Sequence, residues 1–252
     1  TEKEIGIELR FLKNRFGVIA TYYNRVNKDF PVDVTLSSTT GYTSYRTNAG
    51  EVAKSGVELQ LNAQILKFKN LDYEVTGTWA YNIKNKVVSI APGITRLVSA
   101  AGSYGPTTTN PISAWTVSEV GAQWGQMHGT GIKRINGKPV LNSDGTFVAE
   151  ADVNYGSVLP RYTGGIQNTI TLFKNFVMNV NIDYSSGGKF FSLSNYWGDF
   201  SGLTARTAAL NDKGNSVRDA VEDGGGVHVV GVDESGKDVD YYVDAKTYFD
   251  QF

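Results

Sequence analysis

The sequence predicts an all-β chain of long antiparallel strands, and three observations carry that prediction. Apolar and polar residues alternate with period two over unusually long runs. The runs come in pairs, each pair joined by a short turn containing Lys-Asn. The composition is rich in glycine (28 of 252 residues) and tyrosine (14), and poor in helix-like stretches. Side chains on a strand point alternately to opposite faces, so each run has one apolar and one hydrated side.

In order, Ile5, Ile7, Leu9 and Phe11 alternate with Gly6, Glu8 and Arg10, which predicts a first amphipathic strand. Leu12-Lys13-Asn14-Arg15 turns the chain, and Phe16, Val18, Ala20 and Tyr22 form the apolar side of the return arm. Its other side, Gly17, Ile19, Thr21 and Tyr23, is mixed. Residues 24–53 are dense in Asn, Asp, Ser, Thr, Gly and Pro and read as a loop. The clearest hairpin occupies residues 54–84. Val57, Leu59, Leu61, Ala63 and Ile65 alternate with Glu58, Gln60, Asn62 and Gln64. After Lys67-Phe68-Lys69-Asn70 come Leu71, Tyr73, Val75, Gly77, Trp79, Tyr81 and Ile83, again alternating with polar residues. Residues 88–159 read as a second long loop, with small hairpins on Asn136-Gly137 and Asp144-Gly145. A third long hairpin turns at Leu172-Phe173-Lys174-Asn175. Gly164, Ile166, Asn168, Ile170 and Leu172 share one side of its first arm, with Asn168 out of character, and Phe176, Met178, Val180, Ile182 and Tyr184 share one side of the second. Residues 187–252 read as a last loop, with a short strand near 226–232.

Composition removes several function classes. The net charge is −1 and the pI near 6.1, so nothing calls for nucleic acid as a partner. Cysteine is absent, which excludes disulfides, thiolate metal sites and cysteine nucleophiles. Mean hydropathy is −0.25 and no apolar run approaches the roughly 20 residues of a membrane helix. A membrane β-strand escapes that test, because only every second residue need be apolar.

The three hairpins have short turns at one end and long connections at the other. Outer-membrane barrels have that asymmetry, with short periplasmic turns, long extracellular loops, an apolar outer band and a polar lumen. Six strands fall short of the eight or so that close a barrel, and an open edge in lipid leaves backbone groups unpaired. The sequence therefore reads as a barrel segment completed by further chain, and no signal peptide precedes Thr1-Glu2-Lys3-Glu4.

At this level of detail the chain resembles the SusC/RagA-like family of TonB-dependent outer-membrane transporters. The resemblance rests on Glu4-Ile5-Gly6-Ile7-Glu8, Arg15-Phe16-Gly17, Tyr22-Tyr23-Asn24, Asn48-Ala49-Gly50, Gly56-Val57-Glu58-Leu59 and Trp79 with Asn82. It continues in Pro160-Arg161-Tyr162-Thr163-Gly164-Gly165, Phe173-Lys174-Asn175-Phe176, Asp183-Tyr184 with Gly187-Gly188-Lys189, and Val243-Asp244-Ala245 with Tyr248-Phe249. Lys54-Ser55-Gly56 departs from the family's usual Asn-Lys-Gly. The resemblance implies a plugged barrel of about 22 strands, of which residues 1–252 would be a portion without plug, N-terminal strands or last strands. It implies a bacterial outer-membrane location, a SusD-like surface lipoprotein as partner, contact with the TonB complex through the plug, and import of oligosaccharide or peptide. A secreted β-sandwich carbohydrate-binding module is the alternative.

No enzyme, cofactor or metal site is expected. His128 and His228 are the only histidines and lie in loop-like sequence. The carboxylates Asp144, Asp219, Glu222 and Asp223 lack the ordered spacing of a calcium loop. No spacing selects a carboxylate pair, a nucleophile elbow or a phosphate-cradling loop. The loop aromatics Tyr42, Tyr45, Trp115, Trp124, Tyr196 and Trp197 are the candidate substrate contacts, since an amphipathic ring can stack on a sugar or grip a peptide; loop packing is their plainer role.

Overall fold

A computed structural model describes residues 1–35, 37–99 and 114–251. The strands are β1 (Glu2–Phe11), β2 (Phe16–Thr35), β3 (Ser44–Phe68), β4 (Leu71–Ser89), β5 (Arg96–Ser99), β6 (Ala114–Glu119), β7 (Gln126–Ile132), β8 (Arg134–Ile135), β9 (Lys138–Pro139), β10 (Ala149–Ser157), β11 (Tyr162–Leu172), β12 (Phe176–Ser186), β13 (Val227–Val232) and β14 (Asp238–Val243). Two short helices, α1 (Leu193–Phe200) and α2 (Ala245–Phe249), lie in the C-terminal part. The chain divides into two compact units. The first holds Thr1–Ser99, Val117–Gln126 and Gly156–Lys189; the second is built on Met127–Tyr155 and the chain from Phe190 onward.

The first unit is organised by one antiparallel sheet in the order β1-β2-β3-β4-β11-β12, so the three expected hairpins lie side by side and β1 and β12 are its edges. Register explains why it has two faces. Leu9 pairs with Val18, Val18 with Leu61, Leu61 with Gly77, Gly77 with Ile166 and Ile166 with Ile182. One row toward the turns, Phe11, Phe16, Ala63, Val75, Asn168 and Val180 continue the apolar face. A one-residue slip anywhere would move that strand's apolar set to the polar face, so the alternation itself fixes the pairing. The out-of-character Asn168 is satisfied locally: the Tyr73 hydroxyl donates to its Oδ1 at 2.8 Å, and its Nδ2 donates to the Val180 carbonyl at 3.2 Å.

Residues 24–53 differ from the loop expected of them. β2 runs on to Thr35 and β3 starts at Ser44, paired with register shifts between Asn27 and Phe30 and between Phe30 and Pro31. The polar sequence there reflects a ribbon that has left the apolar band, and Pro31 sits at a shift, where a missing N–H is tolerated. The 88–159 and 187–252 connections likewise carry structure: β5–β7 and β10 make a four-stranded sheet in the order β10-β7-β6-β5. Both small turns form as read. Asn136 and Gly137 take φ of 50° and 82°, the left-handed pair a two-residue hairpin needs between β8 and β9, and Leu141 bridges Phe147 across the Asp144-Gly145 turn.

Glycine takes a packing role at Gly164. There a side chain would meet the Thr78 carbonyl and lie 2.7 Å from the Tyr184 ring, which covers the bare backbone from the neighbouring strand. Gly164→Val is expected to destabilise the full-length protein by about 1–3 kcal/mol, read as a lowered unfolding midpoint in detergent; an unchanged midpoint would show that the ring swings away freely.

The second unit's core gathers Leu141, Val229 and Val243, with Phe147, Val227, Val239, Tyr241 and Tyr248 packed on them. β13 pairs with β14 across a turn ordered by Asp233. Its Oδ1 accepts from the Ser235 hydroxyl at 2.6 Å, the Ser235 N–H at 2.9 Å and the Lys237 N–H at 3.0 Å. Those bonds, the Ser235 hydroxyl foremost, hold the carboxyl below its usual range. A depressed folded value means the contribution is complete above about pH 4 and is lost as pH falls through the lower folded value. Amide protection across β13–β14, taken relative to the intrinsic exchange rate at each pH, is therefore expected to fall only below about pH 4, and to be lower already at neutral pH in Asp233→Ala. Equal exchange in parent and variant would refute the role of this carboxylate.

Candidate functional site

Two surfaces of this chain can do work: the faces of the large sheet and a cleft in the second unit. On the sheet, the apolar face is open. Ile5, Ile7, Leu61 and Ile182 are 73, 54, 46 and 59 % exposed, values that water would penalise for a continuous patch of this size. Its end toward the long connections carries a cluster of rings. Tyr81 stacks on Tyr162 at 5.0 Å, Trp79 lies 6.1 Å from each, and the Arg161 guanidinium stands 5.3 Å over Tyr81 while donating to its hydroxyl at 2.7 Å. At the turn end Phe11 stacks on Phe16 at 6.4 Å, and Phe68, Phe173 and Phe176 are exposed. From Leu71 to Tyr81 the strand advances roughly 33 Å, or roughly 25 Å upright at a tilt near 40°, which is the height of a barrel's lipid band.

The opposite face is a polar ladder. Gln60 Nε2 and Thr76 Oγ1 both donate to Asn62 Oδ1 at 3.1 Å, and Thr169 Oγ1 bonds Asn179 Oδ1 at 2.9 Å. Asn82 accepts from the Tyr23 hydroxyl and donates to the Pro160 carbonyl, each at 3.1 Å, tying β2 to β4 and to the entry of β11. Glu58, Gln167, Asn181 and Asp183 share that face by register. These side chains bond one another across strands and leave no converging donor set, so the face is suited to hydration rather than to chemistry.

The cleft has a volume of about 870 Å³. β7, β10 and the segment after Phe190 build it: Met127, Ile132, Phe147, Val153 and Phe191 make its wall apolar, and Arg134 and Glu150 bring opposite charges to the same lining. Tyr155 also lines it and donates to the Thr130 carbonyl at 2.8 Å. Burial, and then the Glu150 charge, hold the Tyr155 hydroxyl above its usual range, so it stays neutral.

The six candidate aromatics fall in different places. Tyr42 (71 % exposed) and Tyr45 (59 %) lie at the far end of the β2–β3 ribbon, and Trp124 lies in the same unit with the Lys54 ammonium 4.9 Å over its ring. Trp115 is half-buried on β6. Tyr196 and Trp197 are brought together at 5.2 Å on α1, where Phe200 joins them, and Trp197 stays exposed. None of the six lines the cleft. His128 Nδ1 lies 3.0 Å from Asp152, and the His228 ring lies between Asp212 (2.9 Å) and Asp240 (3.2 Å). Among the described residues no group of His, Asp and Glu is arranged to hold a metal ion. The cleft residues gave no sequence signal, because Met127, Phe147 and Val153 are separated by polar turns; β7–β10 pairing brings Met127 and Val153 to one sheet, and Phe147 comes in on the turn that bridges to Leu141.

No family model matches the chain. TonB-dependent receptor P26 of Formosa agariphila is 23% identical over 209 residues, 75% of this chain and 20% of that protein. Among solved structures, the RagAB peptide transporter matches 79% of this chain with a TM-score of 0.57 and 19% identity. The RagAB peptide importer in its closed-closed state matches with 0.57 and 20%, and in its open-open state with 0.51 and 21% over 74% of this chain. The chain spans only about a fifth of the length of each of these relatives. Over most of its length it is distantly homologous to a TonB-dependent receptor, and its long-stranded antiparallel sheet has the fold of part of the RagAB transporter.

Proposed function

We propose that this chain supplies wall strands and external loops of a TonB-dependent importer in the bacterial outer membrane. The apolar face, continuous across six strands and left exposed, supports this most directly: it is the surface a lipid bilayer covers. The opposite polar ladder would face the water-filled lumen, and the edge strands β1 and β12 would pair with further barrel strands. A barrel of about 22 strands, a plug that meets the TonB complex, and a SusD-like lipoprotein that presents peptide or oligosaccharide complete the proposed machine. The homology points to a transporter rather than an enzyme. No helix among the described residues is long and apolar enough to cross a membrane. A β-sandwich carbohydrate-binding module is disfavoured, because a second sheet would have buried Ile5, Ile7 and Ile182.

The test uses the full-length protein that contains these residues. It should sediment with the outer membrane, resist alkaline extraction, and be cut by external protease in intact cells within residues 37–43 but not at the Lys69-Asn70 turn. It should also carry a surface lipoprotein through mild detergent purification. Recovery as a soluble, monodisperse protein would sink the proposal.

A further inference from the structure

We propose that the cleft of the second unit is a subsite for short, zwitterionic peptides with bulky apolar side chains, Glu150 facing the peptide's ammonium end and Arg134 its carboxylate end. The proposal deepens the importer reading and rests on it for the cargo's fate, whereas binding itself needs only the cleft. Three observations converge. The volume, about 870 Å³, falls within the roughly 300–1,000 Å³ of sites that bury a small ligand. The wall is dominated by Met127, Ile132, Phe147, Val153 and Phe191. Thr130, Thr146, Ser192 and Gln251 also line the cleft, but the apolar stretch between them favours leucine- or phenylalanine-like side chains over the many hydroxyls of an oligosaccharide. The third observation is electrostatic. Arg134 and Glu150 line one cleft without neutralising each other. Arg134 Nη1 donates to the Gly137 carbonyl at 2.9 Å, which leaves most of its guanidinium donors for a ligand, and the Glu150 side chain makes no hydrogen bond or ion pair among the described residues. A ligand with one positive and one negative end satisfies both at once, and charge-assisted bonds to each end are about twice as strong as neutral ones. Tyr155, neutral beside Glu150 and engaged with the Thr130 carbonyl, adds area without competing for the ammonium.

The experiment measures binding to the purified full-length protein by calorimetry. The probes are trileucine, N-acetyl-trileucine, trileucine amide and maltotriose. Trileucine is expected to bind, each single cap to weaken it at least tenfold, and maltotriose to give no signal. Glu150→Gln should erase the penalty for N-acetylation while keeping that for the amide; Arg134→Gln should do the reverse. A misfolded variant would lose both discriminations together, so the crossed pattern separates recognition from damage. Val153→Trp, which fills the cleft and touches neither charge, should abolish binding while the protein still reaches the outer membrane. Equal affinity for capped and free trileucine, preference for maltotriose, or identical losses in the two charge variants would each overturn the proposal. Failure of membrane partition would count against the importer reading alone, since the capped-peptide comparison is made in detergent.

Discussion

Leu61→Arg is expected to destabilise the assembled protein by about 2–4 kcal/mol, the cost of an arginine facing lipid near the bilayer midplane. Leu61 sits in the middle row of the apolar face, between Val18 and Gly77, and is 46 % exposed. The aromatic cluster lies on one side of that row and the phenylalanines near the turns on the other, so both directions lead toward an interface. Depth then predicts a gradient. Leu59→Arg, one row nearer to Trp79, should cost less because the side chain can snorkel past the rings. Gln60→Arg, on the polar face beside Asn62, should be close to neutral. The measurement is the urea midpoint of full-length protein refolded into lipid vesicles. A buried sandwich core would rank the variants differently: both leucine substitutions would prevent folding and depth would not matter. Equal effects at Leu59 and Leu61 would therefore argue against lipid exposure.

The sheet was legible because its chemistry repeats. Each strand inside the apolar band must alternate, and Lys13-Asn14, Lys69-Asn70 and Lys174-Asn175 mark the turns where the alternation resets. Outside the band that demand lapses. Asn27, Pro31 and Asp33 read as loop although they pair with Val52, Asn48 and Arg46 of β3, because polar residues and a proline occupy β2 there and the alternation stops at the register shifts. β14 does alternate, with Val239, Tyr241 and Val243 toward the small core and Asp238, Asp240 and Tyr242 away from it, but six residues in glycine- and aspartate-rich surroundings are too few to stand out. α1 is too short to show a period, and its start is fixed by the Ser192 hydroxyl, which accepts from the Asn195 N–H. The candidate aromatics stand out in the sequence by residue type alone. Type cannot distinguish Tyr42, which is open to solvent, from Tyr196, whose ring packs on Trp197 and Phe200. The cleft's charges were invisible because an Arg and a Glu in polar loop sequence look like any solvated pair until the fold sets them on a common apolar wall.

Arg206→Met is expected to cost the second unit about 3 kcal/mol, the lower end for breaking a buried ion pair, because it strands a carboxylate rather than removing a surface charge. Asp199, on α1, is 5 % exposed and has two side-chain partners, the Thr204 hydroxyl and the Arg206 guanidinium. Arg206 is itself half exposed and lies 5.5 Å over the Phe249 ring, so it links α1 to the residue that buries α2. The asymmetry of burial decides which partner matters. Removing Asp199 frees an arginine that water can solvate; removing Arg206 leaves a negative charge in a site that water barely reaches, with one hydroxyl to meet it. Asp199→Asn should consequently cost less than Arg206→Met, and Asp199→Asn/Arg206→Met should be more stable than Arg206→Met alone. The check is protease resistance of residues 190–251 in the full-length protein, followed with increasing urea. If Arg206→Met matches the parent, or the double variant is the weaker of the two, the guanidinium is not what holds Asp199 in place.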